Sequence, residues 1–254
     1  MTRYKAIISY DGTNYAGFQI QPNAVTIQEV IEATLKRLNS GKPVTIHPSG
    51  RTDSGVHAVG QVIHFDLSQK RDVEKLRFAL DTQTPEDISI LSIEEVTEDF
   101  HARYLATGKE YHYHVDTGKS PNPFKRLYAA HFRYELDLES MRRAARFIEG
   151  EHDFSVFCAT GSSVEDKTRT VYSVTIEEVG EDELLFIFKG NGFLYKMVRM
   201  LVGTLLKIGN GQLPEDAIQR ALANQDKKMT GPTAQPEGLF LMKVDYNGEK
   251  KCHK

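Results

Sequence analysis

The stretch Ser49-Gly50-Arg51-Thr52-Asp53-Ser54-Gly55-Val56-His57-Ala58 sets a carboxylate between two glycines, two residues after an arginine, with no metal-type partner beside it. Asp-Ser-Gly is good turn chemistry in its own right, since an aspartate bonds its own backbone two residues on and glycine accepts positive φ. The other reading is a poised carboxylate. Gly50 and Gly55 let a second backbone or a ligand come close, and a guanidinium such as that of Arg51 favours the ionised form of a neighbouring carboxyl. In an apolar cleft that combination makes a nucleophile or a general base. Residue types alone leave both readings open.

Other groups carry less. Asp11-Gly12-Thr13 matches part of a phosphotransferase nucleophile loop, but Ser9 stands where the second aspartate of such a loop is needed, so a strand-ending turn is expected. His112 and His114 form a His-x-His pair without a cysteine or carboxylate cluster to complete a metal site. No GxGxxG, P-loop or Gly-x-Ser-x-Gly is present. Tyr111, next to Lys109 and Glu110, reads as a core tyrosine when taken alone, and Arg142, Arg143, Arg146, Lys167, Arg169 and Lys196 as solvated charges. Arg199 differs because it interrupts the apolar run GFLYKMVRMLVGTLL. A charge in such a helix needs a partner, and Asp53 is a candidate.

The elements that must position these groups follow from periodicity. Alternation predicts strands over Tyr4–Tyr10, Val62–Leu67, Ile88–Val96, Lys109–Asp116, Thr170–Val179, Leu184–Lys189 and Leu239–Tyr246. Helices are predicted after the capping box Thr26/Glu29, over Asp72–Leu80, after Asp137, over Phe193–Ile208, and from Pro214 to Ala223. Strand pairs with intervening helices make the class α+β. The order recurs in each half, which predicts two similar lobes, 1–105 and 106–254, the first carrying the Asp53 loop.

At 254 residues with a net charge of −3, the chain has no bulk positive charge to announce a nucleic-acid partner, although a local basic stripe is enough for one. No apolar run approaches the roughly 20 residues of a membrane span. The start MTRYKAIISYDG enters strand alternation directly, so no leader is expected. The only cysteines, Cys158 and Cys252, form neither a disulfide framework nor a zinc spacing, and a reducing cytoplasm is the expected compartment.

GRTDSGVHA resembles the signature around the catalytic aspartate of the TruA family of tRNA pseudouridine synthases. The likeness extends, in order, through YDGTNYAGFQIQ, TIQEVIE, FHARYLATGKEYHY, GEHDFSVF, KTRTV, GNGFLYKMVRMLVGTLL and GPTAQPEGLFLMKVDY. It implies a cofactor-free isomerisation of uridine to pseudouridine at positions 38, 39 and 40 of the tRNA anticodon stem-loop. It also implies two lobes around a central cleft, on a mixed, largely antiparallel sheet with helices on one side, and a homodimer that binds tRNA. By the same resemblance Asp53 is the nucleophile, Arg51 helps to flip the base, and Arg199 is the basic partner of the aspartate. Tyr111 stacks on the target uracil and can help to remove a proton, and Leu239 lines the pocket. Two steps suit the carboxylate: attack at C1′ of the ribose, or removal of the C2′ proton on the way to a glycal. Phe18, the segment Asp81–Asp87 and Gln235 depart from the family's usual residues and leave Asp53, Tyr111 and Arg199 untouched. A tRNA-binding protein that has lost activity is the rival reading, and those three intact residues argue against it.

Overall fold

The computed structural model describes residues 1–162 and 164–247. Cys252 and the polar tail after Asn247, expected to fray, lie outside them. The first elements are β1 (Thr2–Tyr10), α1 (Ile27–Leu38), β2 (His47–Pro48), β3 (His57–Leu67), α2 (Val73–Asp81) and β4 (Ile88–Val96). β5 (Ala106–Asp116), β6 (Ala130–His131), α3 (Leu138–Ala145), β7 (Gly150–Asp153), β8 (Thr168–Gly180) and β9 (Glu183–Gly190) follow. The chain ends with α4 (Met197–Gly209), α5 (Ala217–Asn224) and β10 (Leu239–Tyr246). The class is α+β.

The chain forms two compact units, one of Met1–Thr107 with the strand from Phe240 onward, the other of Gly108–Leu239. A division into 1–105 and 106–254 therefore differs at the C-terminal end. The last strand returns to the first unit because Phe240 and Leu241 pair in parallel with His57 and Ala58. In that unit β1 pairs antiparallel with β3, from Thr2 opposite Leu67 to Tyr10 opposite Ala58, and with β4 on its other side. β2 pairs with the far end of β3, His47 opposite His64. In the second unit β5, β9, β8 and β7 pair antiparallel in that order, and β6 adds to β5 in parallel. The strands are thus mixed and largely antiparallel.

Local chemistry explains most boundaries. The Thr26 side chain accepts from the Glu29 N–H at 3.4 Å and caps α1, Asp72 accepts from Lys75 at 2.9 Å and caps α2, and Asp137 accepts from Ser140 at 3.0 Å and caps α3. Tyr111, Tyr113 and Val115 are buried along β5 while His112 and His114 are half-buried, the alternation expected. β3 departs from simple alternation: Gln61 through Phe65 are all buried, so both of its faces are covered. α4 starts four residues later than its apolar run suggests. Lys196 takes a left-handed φ of 59°, and the Tyr195 carbonyl accepts from Ala159 N–H at 3.1 Å, so tertiary bonding replaces the expected first turn. Within α4 every residue but Met200 and Lys207 is buried, as its composition predicts. α5 likewise begins after Pro214, whose carbonyl accepts from Ala217 N–H at 3.0 Å.

Candidate active site

Asp53 lies in the loop that feeds β3, and the order of exposure along it is informative. Ser49 and Thr52 are buried, Asp53 is half-buried and Arg51 is exposed. The loop turns at Gly55, whose φ of 75° suits glycine. Val56 N–H donates back to the Asp53 carbonyl at 3.1 Å.

Two sets of contacts hold this loop. The first comes from the segment after β1. Phe18 N–H donates to the Thr52 carbonyl at 3.1 Å, while Gly55 N–H and the Ser54 hydroxyl donate to the Tyr15 carbonyl at 3.3 and 3.2 Å. Approach is so close that a methyl group at Gly12 would overlap the Val56 carbonyl, and one at Gly17 would sit 2.8 Å from the Thr52 carbonyl. The second set is a buried polar network. The Gln61 side-chain nitrogen donates to the Gly50 carbonyl at 2.9 Å and to the Tyr10 oxygen at 3.4 Å. Its oxygen accepts from the Ser49 hydroxyl at 2.6 Å and from Val62 N–H at 3.2 Å. Tyr10, pushed up to about 12 by burial, keeps its proton, and its hydroxyl shares a 2.8 Å hydrogen bond with Thr52 Oγ1.

The Asp11 turn is the plain one expected. Its Oδ1 accepts from the backbone and hydroxyl of Thr13 at 2.9 and 2.6 Å. His57 Nδ1 lies 3.1 Å from the same oxygen and stacks its ring on Phe240 at 4.5 Å.

The other site residues belong to the second unit. Tyr111 sits on β5 opposite Phe188 and meets the Phe193 ring edge-on at 5.2 Å. Arg199 projects from the first turns of α4, and its Nε donates to the Ala234 carbonyl at 2.7 Å. Ala234 N–H returns a bond to the Arg199 carbonyl at 3.0 Å. Leu239, buried, opens β10. Among the basic residues, Arg143 is held by Glu215 through two 2.8 Å bonds, and Arg142 pairs with Glu139 at 2.8 Å. His112 pairs with Glu110 at 2.7 Å and His114 with Glu183 at 2.9 Å, so each of the two histidines has its own acid.

Sequence reasoning did not single out the Gln61–Tyr10–Ser49 network, nor a cluster of His47, His64 and His101 whose ring nitrogens approach within 4.8 Å. That donor set does not fit a metal ion. Ala102 N–H donates to His64 Nδ1 at 3.1 Å, and Arg103 and Tyr104 N–H donate to His101 Nδ1 at 3.2 and 3.4 Å. Each neutral ring then carries its proton on Nε2, where a metal would need the lone pair.

The sequence profile of the tRNA pseudouridine synthase family matches residues 6–105 and 144–247. The chain belongs to that family. The tRNA pseudouridine synthase A of Streptococcus gordonii is 57% identical over 247 residues, 97% of this chain and 99% of that protein. That of Streptococcus sanguinis is 56% identical over the same coverage, and that of Streptococcus mutans 56% over 248 residues, 97% of this chain and all of that protein. This pseudouridine synthase is therefore an isomerase of tRNA uridine.

Proposed function

We propose that the protein isomerises uridine to pseudouridine at positions 38, 39 and 40 in the anticodon stem-loop of tRNA, as a cytoplasmic homodimer without a cofactor, with Asp53 as nucleophile. The observation that carries this reading is the loop itself. A half-buried carboxylate, in a segment matching the family's aspartate signature, stands in a loop held at the Gly50 carbonyl and the Thr52 hydroxyl by buried side chains.

The reaction needs a target base outside the helical stack, since a paired uracil cannot turn. Extrusion costs a few kcal/mol, and stacking on one aromatic ring returns about 1–3 kcal/mol per base. Tyr111 is the ring proposed for that role, with Leu239 lining the pocket and the exposed Arg51 helping to flip the base. Asp53 Oδ attacks C1′ and forms a carbon–oxygen bond as the bond to N1 breaks, its electron pair remaining on the uracil. The uracil turns, C5 bonds to C1′, and the carboxylate leaves. N1 gains a proton and C5 loses one, so no redox partner enters. Arg199 is the proposed basic partner of the carboxylate. Phosphate contacts by Lys and Arg make tRNA binding weaken steeply with salt.

The test is site-mapped pseudouridine formation on an unmodified tRNA transcript bearing uridines at positions 38 to 40. Asp53→Asn is expected to retain tRNA affinity and lose all product. A variant that still modified the transcript would sink the nucleophile, and product at other positions would sink the stated targets.

A further inference from the structure

We infer that Gln61, acting with Tyr10, is a positioning residue for the reaction: its side-chain amide holds the Gly50 carbonyl and, through Tyr10, the Thr52 hydroxyl, one on each side of Arg51, and so sets the direction of Asp53. The inference rests on the reading of Asp53 given above. Gln61 lies in β3, four residues after His57, and is fully buried. A buried amide without partners is costly, yet this one meets its full complement. An amide offers two N–H donors and two acceptor lone pairs. Both donors are used, on the Gly50 carbonyl and the Tyr10 oxygen, and both acceptors, on the Ser49 hydroxyl and Val62 N–H. Turning the amide over would set its oxygen against the Gly50 carbonyl and its N–H groups against the Val62 N–H. One orientation alone satisfies the site.

Direction passes onward through Tyr10. The phenol accepts from Gln61 and shares a 2.8 Å hydrogen bond with Thr52 Oγ1. Ser49 is tied a second time, its N–H donating to the Val62 carbonyl at 2.7 Å. Ser49, Gly50 and Thr52 are thus anchored on the buried side of the loop. Arg51 and Asp53 alternate with them and are the more exposed. Neither anchor touches the Asp53 carboxylate, so the effect is on its placement, and a displacement of about 1 Å in a reacting group can cost on the order of a hundredfold in rate.

Gln61→Met keeps the volume and removes all four bonds. It is expected to lower kcat about 10–100-fold, the range for a misplaced reacting group, with KM for tRNA within about threefold of the parent. Tyr10→Phe removes one oxygen and is expected to lower kcat less, again without raising KM. Gln61→Glu adds a diagnostic pH profile. Ionised, its carboxylate faces the Gly50 carbonyl; protonated, it can donate there, so activity relative to the parent should rise as pH falls. Melting curves give the folded fraction of each variant. A kcat that stays within twofold of the parent, or a loss that merely follows the unfolded fraction in both Gln61→Met and Tyr10→Phe, overturns the inference. Asp53→Asn assayed alongside separates the two claims. If it is active, the reading of Asp53 fails; if it is inactive while Gln61→Met is normal, only the role of Gln61 fails.

Discussion

The loop that carries Asp53 and the helix that carries Arg199 are both clamped against a second segment through glycine, and they are clamped in different ways. In the first unit the segment from Gly12 to Phe18 lies on the loop so closely that side chains at Gly12 and Gly17 would collide with loop backbone. In the second, a methyl group at Gly203 of α4 would overlap the Pro232 carbonyl. There Gly231 N–H donates to Thr204 Oγ1 at 2.8 Å, and Ala234 exchanges two bonds with Arg199. The difference lies in what each clamp grips. Arg199 rides on a helix whose own hydrogen bonds fix its backbone, and the Ala234 carbonyl helps to orient its side chain. The Asp53 loop has no ladder of its own over residues 49–56, so buried side chains and a few backbone bonds to the Tyr15–Phe18 segment and to Val62 supply what a ladder would. A loop held in this way owes its shape to residues whose exchange leaves the fold standing, whereas a helix packed backbone to backbone on its neighbouring segment does not bend by degrees.

The sharpest way to break that comparison is Gly203→Ala. Alanine is intrinsically better than glycine in a helix by about 1 kcal/mol, so propensity alone predicts a more stable protein. The clash is with backbone, which cannot rotate away, and overpacking of this kind costs about 1–3 kcal/mol or more. We expect the clash to prevail and the melting temperature to fall by several degrees, at roughly 2–4 °C per kcal/mol for a chain of this size. A rise would mean that the loop at Pro232 yields freely and that the helix clamp is as soft as the polar one. Thr52→Val probes the polar clamp with a smaller change. It removes the hydroxyl that bonds Tyr10 and should cost about 1 kcal/mol, the usual net worth of one hydrogen bond. Thermal melts of both variants, compared directly, should rank Gly203→Ala as the more damaging; the reverse order would undo the contrast.

Much of this arrangement is legible in the chain, and the rest is hidden for definable reasons. α1, β4 and β10 run over the residues that periodicity and capping assign, because those signals are local. β2 and β6, two residues each, carry no period at all. The late start of α4 depends on Ala159, which is distant in sequence, taking the Tyr195 carbonyl. The return of the last strand to the first unit depends on pairing with His57 and Ala58, equally distant. Asp53, Arg51 and Arg199 stand out by residue type and setting. Gln61 does not, since a glutamine at an alternating strand position reads as a solvent-facing residue until both faces of β3 are seen to be covered. Gly12 reads as a turn residue, and only the packing shows that it and Gly17 make room for the loop that carries Asp53.

The smallest predicted effect concerns the far end of the same strand. β3 begins after the Asp53 loop and passes His64, seven residues beyond His57, which at about 3.3 Å per residue lies more than 20 Å along the strand. The groups facing His64 are His47 from β2, His101 from the segment after β4, Arg3 from β1, and Asp66, which Arg3 holds through two 2.8 Å bonds. Burial first, then the neighbouring His101 and His47, hold His64 down to about 4. Its ordinary value is about 6.5, so in that interval the unfolded chain binds a proton that the folded protein refuses. Stability from this group is complete above about pH 6.5 and is lost as pH falls toward 4. His64→Gln keeps an acceptor for Ala102 N–H but cannot titrate. Its melting temperature should therefore fall less than the parent's between pH 7 and 5, while pseudouridine formation at pH 7.5 stays within about twofold, as for an interaction that bears on folding and not on the transition state. An unchanged slope would show that the other two histidines carry the acid sensitivity, and a large loss of activity at pH 7.5 would show that the two ends of β3 are mechanically coupled, so that the Asp53 loop is held from farther away than its own polar network.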